Sequence, residues 1–514
     1  MNPAVPRFSP AMLGAAVVVA AALGGWVWFQ GRAPWEPGAI LGAAEASEAQ
    51  VREFCAACHA FPPPDSFPRD QWKRHVEQGF VFAEKLGRRL PSASAESITA
   101  YYVNRAPLAL ERPVLADAQR PSPAWRREGH AAADRKPLPI VTNVGVVTLR
   151  QEGRPQVLVC EADPFGEQGD MLLLDPHGSP PRWRTLARLP SMAHAEVVDL
   201  DADGVDDILV ACLGSFFPTD DRVGGVIWMR GRPDGSFEAF TIVNGLGRVA
   251  DVRAADFTGD GRLDLVVAEF GWHVTGCIRV LENTTTDWKR PEFVSRLVDD
   301  RPGAINVPVA DLDGDGRPDF VALISQGTQA VVAYLNTDGR GFRRETIWAA
   351  PHPGFGGSGI ELADLDADAD MDVVFTNGDV LDEPFLLKPD NGVHWLENEG
   401  GYPFTHHRLA TMPGVQRAVA GDVDGDGDLD IAAVSYVPAV EFPRDEFDLQ
   451  AVLLLEQTAP GAFAPRLLES KTCDHFTCAV GDLFGTGRAA LVVGNFWSTT
   501  DIPIRDTLSI WTAP

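Results

Sequence analysis

Basic residues are in short supply in this chain. Its 514 residues include 44 Lys and Arg against 72 Asp and Glu, a formal net charge of −28. Phosphate backbones are bound by clustered Lys and Arg, so the deficit argues against nucleic acid, and against an anionic membrane surface, as partners. The short signatures of common catalytic sites are also missing: there is no nucleophile elbow, phosphate loop or zinc-binding pattern. Methionine is sparse, with none between Met12 and Met171. The seven cysteines are an odd number, so at least one thiol stays unpaired. Cys473 and Cys478 are spaced for a local disulfide in an oxidising compartment, whereas Cys160, Cys212 and Cys277 suit buried, small apolar positions. Gly (49) and Pro (40) are abundant, which suits many tight turns, and the length allows two or three domains.

A long uncharged run is present at the N-terminus. Ala11 to Phe29 spans 19 residues, mostly Ala, Val, Leu and Gly, the length a helix needs to cross a hydrocarbon core. Arg7 precedes it, and Trp26 and Trp28 lie at its outer end, which predicts an N-terminus inside and the rest of the chain outside. Residues 1–32 therefore read as a cytoplasmic tip and transmembrane signal anchor. A cleaved leader is the competing reading, with small residues for cleavage at Leu41-Gly42-Ala43-Ala44. Leader cores are shorter, about 7–15 residues, which favours the anchor. No cysteine closely follows the run, which argues against a lipoprotein anchor. Either way the remaining chain is exported, to the periplasmic side of a bacterial-type inner membrane.

The first exported segment contains Cys55-Ala56-Ala57-Cys58-His59. C-x-x-C-H is the attachment pattern of a c-type haem: two thiols add to the vinyl groups, and the adjacent imidazole becomes an iron ligand. The expected cofactor is one covalent haem c on Cys55, Cys58 and His59. Residues 45–106 form a short unit in which Gln71–Gly79 and Ala95–Asn104 read as helices, the second capped by Ser94. With the motif, this unit resembles a small class I-like monohaem cytochrome c. In that family a Met usually supplies the second axial ligand, and no Met is available here. His75 is the nearest replacement; Tyr101, Tyr102 or an open sixth position are the alternatives. His75 would otherwise lie on a solvated face beside Lys73 and Arg74. Residues 107–137, with Pro113, Pro121 and Pro123, read as a linker or as a segment along the wall of the next domain.

The acidity is patterned. Asp199, Asp201, Asp203 and Asp207 form one nine-residue motif; Asp256, Thr258, Asp260 and Asp264 a second; and Asp311, Asp313, Asp315 and Asp319 a third. Asp364, Asp366, Asp368 and Asp372 form a fourth, and Asp422, Asp424, Asp426 and Asp430 a fifth. Degenerate copies start at Thr148 and Asp482, and successive starts are 51, 57, 55, 53, 58 and 60 residues apart. Carboxylates at positions 1, 3, 5 and 9 around a glycine suit a hard cation, so about five calcium ions are expected, with none at the degenerate copies. An EF-hand would need Glu at position 12, where these loops carry Val210, Val267, Ala322, Phe375 and Ala433. Apolar strand-like runs flank each loop, about four per period, and predict a seven-bladed β-propeller over residues 138–514. A parallel β-helix is disfavoured because its repeats are far shorter. The loops resemble FG-GAP and VCBS-like repeats, the calcium-loop blades of the integrin α-subunit propeller. The expected fold is thus mainly β, with an N-terminal transmembrane helix and a small α-helical cytochrome domain.

Superposing the repeats aligns His194, Asp251, Asn306 and Arg417 five residues before the first loop position, and Glu196, Arg253 and Glu361 three before it. On an innermost strand these alternate residues share one face, which would ring the central channel and offer a site for an anionic or sugar ligand. Plain solvation of a wet channel is the simpler alternative. Three function classes follow. The first is a membrane-anchored cytochrome passing electrons to a redox partner protein, with the propeller binding protein or another ligand. The second is a haem-linked oxidoreductase or carbohydrate-active enzyme with its site in the channel; the tryptophan-docking repeats of quinoprotein dehydrogenases are absent. The third is a surface adhesion or scaffold protein.

Overall fold

The computed structural model describes residues 44–57, 59–85, 87–115, 125–132, 139–164, 166, 168–381, 385–439, 441–444, 446–496 and 506–513. The expected membrane span, Cys58 and most of the linker's Pro-rich part lie outside these residues. Among the described residues no helix is long and apolar enough to cross a membrane.

Seven antiparallel sheets follow one another along the chain. Blade one runs over Val141–Thr148, Pro155–Glu161, Gly169–Asp175 and Arg182–Leu189. Blade two begins with Met192–Val198, blade three with Val249–Ala255, blade five with Gly359–Ala363 and blade six with Val415–Gly421. Blade four begins with a strand split into Ala304–Asn306 and Val309–Ala310. Pro308, which has no N–H to give a ladder, lies in the gap. Each first strand packs on the first strands of both neighbouring blades, and the circle closes between His475–Gly481 of blade seven and blade one. These strands are therefore innermost.

Burial follows the same radial order. Second and third strands are buried on both faces, as in Asp207–Cys212 and Ala330–Asn336, and read as continuous apolar runs. Fourth strands alternate, with Arg182–Leu189 and Phe293–Asp299 exposing every second residue or so. Apolar clusters fill the gaps between adjacent blades: Phe257 and Val280 of blade three pack with Phe320 and Tyr334 of blade four. This is the sevenfold arrangement that the repeat spacing predicts.

Blade seven differs from the expectation that residues 138–514 supply every strand. His475–Gly481, Ala490–Asn495 and Leu508–Thr512 give it three strands, and Arg126–His130 supplies the fourth. That segment falls within the stretch read as a linker. It pairs antiparallel with the C-terminal strand from Arg126 opposite Thr512 to His130 opposite Leu508. A sheet edge left open at the junction of first and last repeats is thereby covered.

Residues 44–115 form a small helical unit. Helix α1 (Glu48–Cys55) starts with a reciprocal capping box between Ser47 and Gln50. Helix α2 spans Trp72–Lys85, six residues beyond the expected end, and buries Trp72, Val76 and Ala83. Helix α3 spans Ala95–Val103, with Ser94 Oγ accepting the Ser97 N–H at 3.3 Å. The unit's core joins Val51, Trp72, Ile98 and Tyr102, and the Trp72 and Tyr102 rings stack at 3.7 Å. The expected Cys473–Cys478 disulfide is not formed. The two thiols are buried in different apolar clusters and donate to different carbonyls, Gln450 O at 3.6 Å and Ala432 O at 3.8 Å.

Candidate functional site

The inner strands carry a polar ring. In six blades a β-bulge falls just before the aligned position, between Val141 and Asn143, Met192 and His194, Val249 and Asp251, Ala304 and Asn306, Val415 and Arg417, and His475 and Thr477. A bulge re-aims the residue that follows it. Its repetition puts these side chains in one register, opposite the second residue from the end of the neighbouring strand's run. Asn143 of blade one, five residues before the degenerate copy at Thr148, holds the same position and was missed although the same count reaches it.

Several ring residues meet across blade boundaries. His194 Nδ1 lies 2.9 Å from Asp251 Oδ1, and Arg253 Nε lies 3.1 Å from the same oxygen. Asp251 Oδ2 accepts the Val307 N–H of blade four at 2.9 Å. Glu196 Oε2 accepts the Ala254 N–H at 2.9 Å, and Asn306 Oδ1 accepts the Ile360 N–H at 3.2 Å. Arg417 pairs with Glu361 and donates to Ile360 O at 2.6 Å. Burial alone would raise the Asp251 carboxyl, but Arg253 and His194 beside it hold it well below the usual range. Glu196 is pushed up to about 7 by burial, with Arg253 only partly opposing. His194 is lowered by burial and then by Arg253. A carboxyl titrating near neutrality beside a His–Asp pair is equipped for proton transfer or for hydrogen bonding to a polar ligand.

The loop carboxylates cluster at the opposite end of the inner strands. Carboxylate oxygens of Asp199, Asp201 and Asp203 lie within 4.8 Å of one another, as do those of Asp311, Asp313 and Asp315, and of Asp364, Asp366 and Asp368. In blade six the grouping is Asp422, Asp424 and Asp430. Blade three, with Thr258 at position 3, gives no such group among the described residues. Position 1 shapes the turn: Asp311 accepts the N–H groups of Asp315 at 3.1 Å and Gly316 at 2.8 Å. Position 9 ties the loop to the blade. Asp319 accepts Leu312 N–H at 3.0 Å and Asn336 N–H at 2.6 Å, and Asp207, Asp264, Asp372 and Asp430 are bonded in the same manner.

The donor set fits a hard cation. Asp201 Oδ1 and Asp366 Oδ1 are buried without a hydrogen-bond partner. Burial, and then the neighbouring carboxylates, push Asp366 up. Two competitors in the blade-two loop were missed: Arg150, from the degenerate loop of blade one, lies 2.8 Å from Asp199 Oδ2 and 3.3 Å from Asp206 Oδ1, and Arg230 lies 2.5 Å from Asp201 Oδ2 and 3.4 Å from Asp203 Oδ2.

Residues 180–267, 297–375 and 376–433 match the family described as FG-GAP-like repeat. The chain carries FG-GAP-like repeats. The matched stretches run from the outer strand of blade one into blade six, through the five acidic loops. No curated protein matches the chain. A propeller of FG-GAP repeats is a scaffold that suits protein or ligand binding.

In the helical unit, Cys55 closes α1 and is half-buried, its thiol raised by burial with Tyr102 close by. His59 Nδ1 faces Ala60 O at 2.8 Å, which leaves Nε2 as the ring's open nitrogen. His75 is held down to about 4, first by burial and then by Arg74 and Lys388. Its Nε2 is buried with no hydrogen-bond partner. The solvated-face alternative for His75 fails at that nitrogen: the half-buried ring lies against Phe67, centroids 4.1 Å apart and planes tilted by 35°.

Proposed function

We propose that this protein is an exported, membrane-anchored c-type cytochrome whose calcium-stabilised FG-GAP propeller serves as its binding module. The reading rests on Cys55-Ala56-Ala57-Cys58-His59 beginning at the last residue of α1, with α3 packed against that helix. Cys55 and Cys58 would hold the haem, and His59 would ligate its iron through Nε2. His75, a neutral imidazole with an unpartnered buried nitrogen, suits the second ligand. The bound haem supplies one-electron chemistry. The chain's own contribution is to exclude water with Phe61, Trp72 and Tyr102. Calcium in the acidic loops would neutralise crowded carboxylates and brace the inner strands.

The test is the visible spectrum of the matured protein with and without carbon monoxide. A covalent, low-spin haem indifferent to carbon monoxide is expected. Absence of covalent haem overturns the reading and leaves a binding propeller.

A second reading, an oxidoreductase or carbohydrate-active enzyme, draws on the His194–Asp251 pair with Glu196 near it. It predicts that His194→Ala and Arg417→Ala abolish substrate-dependent haem reduction; an unchanged rate counts against it.

A further inference from the structure

The helical unit is seated on the propeller, and the contact converges on His75. Acidic loops join first strands to second strands, so the turns from second to third strands lie at the other end of each blade. It is those turns, and the links between blades, that meet the helices. Phe82 of α2 packs on His273 of blade three, ring centroids 4.4 Å apart. Phe67, against which the His75 ring is tilted, lies against Gly354 in the link from blade four to blade five; a Cβ there would stand 2.7 Å from Phe67 Cζ. Lys388, in the second turn of blade five, is 9% exposed. Its charge acts on both His75 and Asp390, and Asp390 Oδ2 lies 3.2 Å from His352 Nε2.

We propose that blade five positions and tunes the second iron ligand, with Gly354 setting the depth of Phe67 under the His75 ring and Lys388 providing a fixed positive charge beside it. This rests on the cytochrome reading above. The physical argument has two parts. A ligating imidazole must keep its ring orientation, and part of its support comes from outside α2, because Phe67 beside the ring rests on the Gly354 backbone as well as on Trp72. A buried ammonium beside a ligand also disfavours the more positive, oxidised iron. Burial gives that charge weight, since little water is present to screen it. The propeller would thus be more than a docking module: a ligand that shifted blade five would change the redox behaviour of the haem.

The experiment compares full-length, haem-matured wild type with His75→Ala, Lys388→Gln and Gly354→Val, by visible spectrum with carbon monoxide and by midpoint potential. His75→Ala is expected to turn the haem high-spin and reactive to carbon monoxide. Lys388→Gln should keep the low-spin spectrum and lower the potential. Gly354→Val, by displacing Phe67, should weaken the low-spin band. If His75→Ala keeps the wild-type spectrum, His75 is not the ligand and the inference is overturned. It is equally overturned if Lys388→Gln leaves spectrum and potential unchanged, a result that stands even if Gly354→Val fails to fold. Lack of covalent haem in wild type is a separate outcome, which overturns the cytochrome reading itself.

Discussion

Asp251 and His194 join blade three to blade two inside the channel, with Oδ1 and Nδ1 2.9 Å apart. Asp251 is fully buried and also receives Arg253 and the Val307 N–H, so one carboxylate holds three consecutive inner strands. Asp251→Ala would leave a half-buried guanidinium and a buried amide without their acceptor. A loss of about 3 kcal/mol is expected, the usual cost of removing one partner of a buried pair, read from thermal or denaturant unfolding. No change would mean that the inner strands are held by packing alone.

Glu196 sets a pH dependence in which stability falls as pH rises. Its folded pKa is raised to about 7, so the folded state holds the proton more tightly than the unfolded chain. The associated stability is fully present below about pH 4.3, the unfolded value, and is lost as pH rises through 7. Glu196→Gln should flatten that segment of the stability profile. A variant profile parallel to wild type between pH 5 and 8 would show that Glu196 titrates normally.

Calcium removal should lower the melting temperature, and re-addition should restore it. Binding to the folded state alone stabilises by about 2.7 kcal/mol per site at a hundredfold excess over Kd. Asp366→Asn, which alters a buried, unpartnered oxygen, should reduce the calcium-dependent shift without abolishing it. A melting temperature indifferent to chelator would leave the loops as hydrogen-bonded turns.

Blade five pays a conformational cost that its neighbours avoid. Ala367 and Ala369 adopt φ of 62° and 78°, where the blade four loop has Gly314 and Gly316. A left-handed L-residue costs about 1–2 kcal/mol, partly offset by its smaller unfolded-state entropy. Ala369→Gly is therefore expected to stabilise the protein by about 0.5–1 kcal/mol; a lower melting temperature would contradict the strain.

The closing strand offers a further check. Gly129 pairs with Ser509, and a Cβ on it would collide with the Asp506 carboxylate. Gly129→Val should destabilise by about 1 kcal/mol, the low end of overpacking, because the Asp506 carboxylate ends a flexible side chain that can swing aside. Hydrogen exchange should localise the loss to Ala490–Asn495 and Leu508–Thr512.

Much of the architecture was legible because its signals are local. An acidic turn followed by an apolar run recurs within every period, so the number of blades and the flanking strands could be counted. The acidic-loop residues and the aligned inner-strand positions followed from the same superposition. Asn143 was within reach of the same count, five residues before Thr148, whereas Arg150 was not, since its pairing with Asp199 and Asp206 crosses between blades.

The sequence by itself determined the sevenfold β architecture, the acidic turns and the C-x-x-C-H motif, because each is encoded within a few dozen consecutive residues. Only the tertiary structure decided which strand closes the ring, how His194 meets Asp251, and that His75 faces Phe67 against Gly354 instead of solvent. These depend on pairing between residues far apart in the chain: Arg126 with Thr512, His194 with Asp251, Phe67 with Gly354. No local pattern records such partners, because they are selected by how whole blades and the helical unit pack.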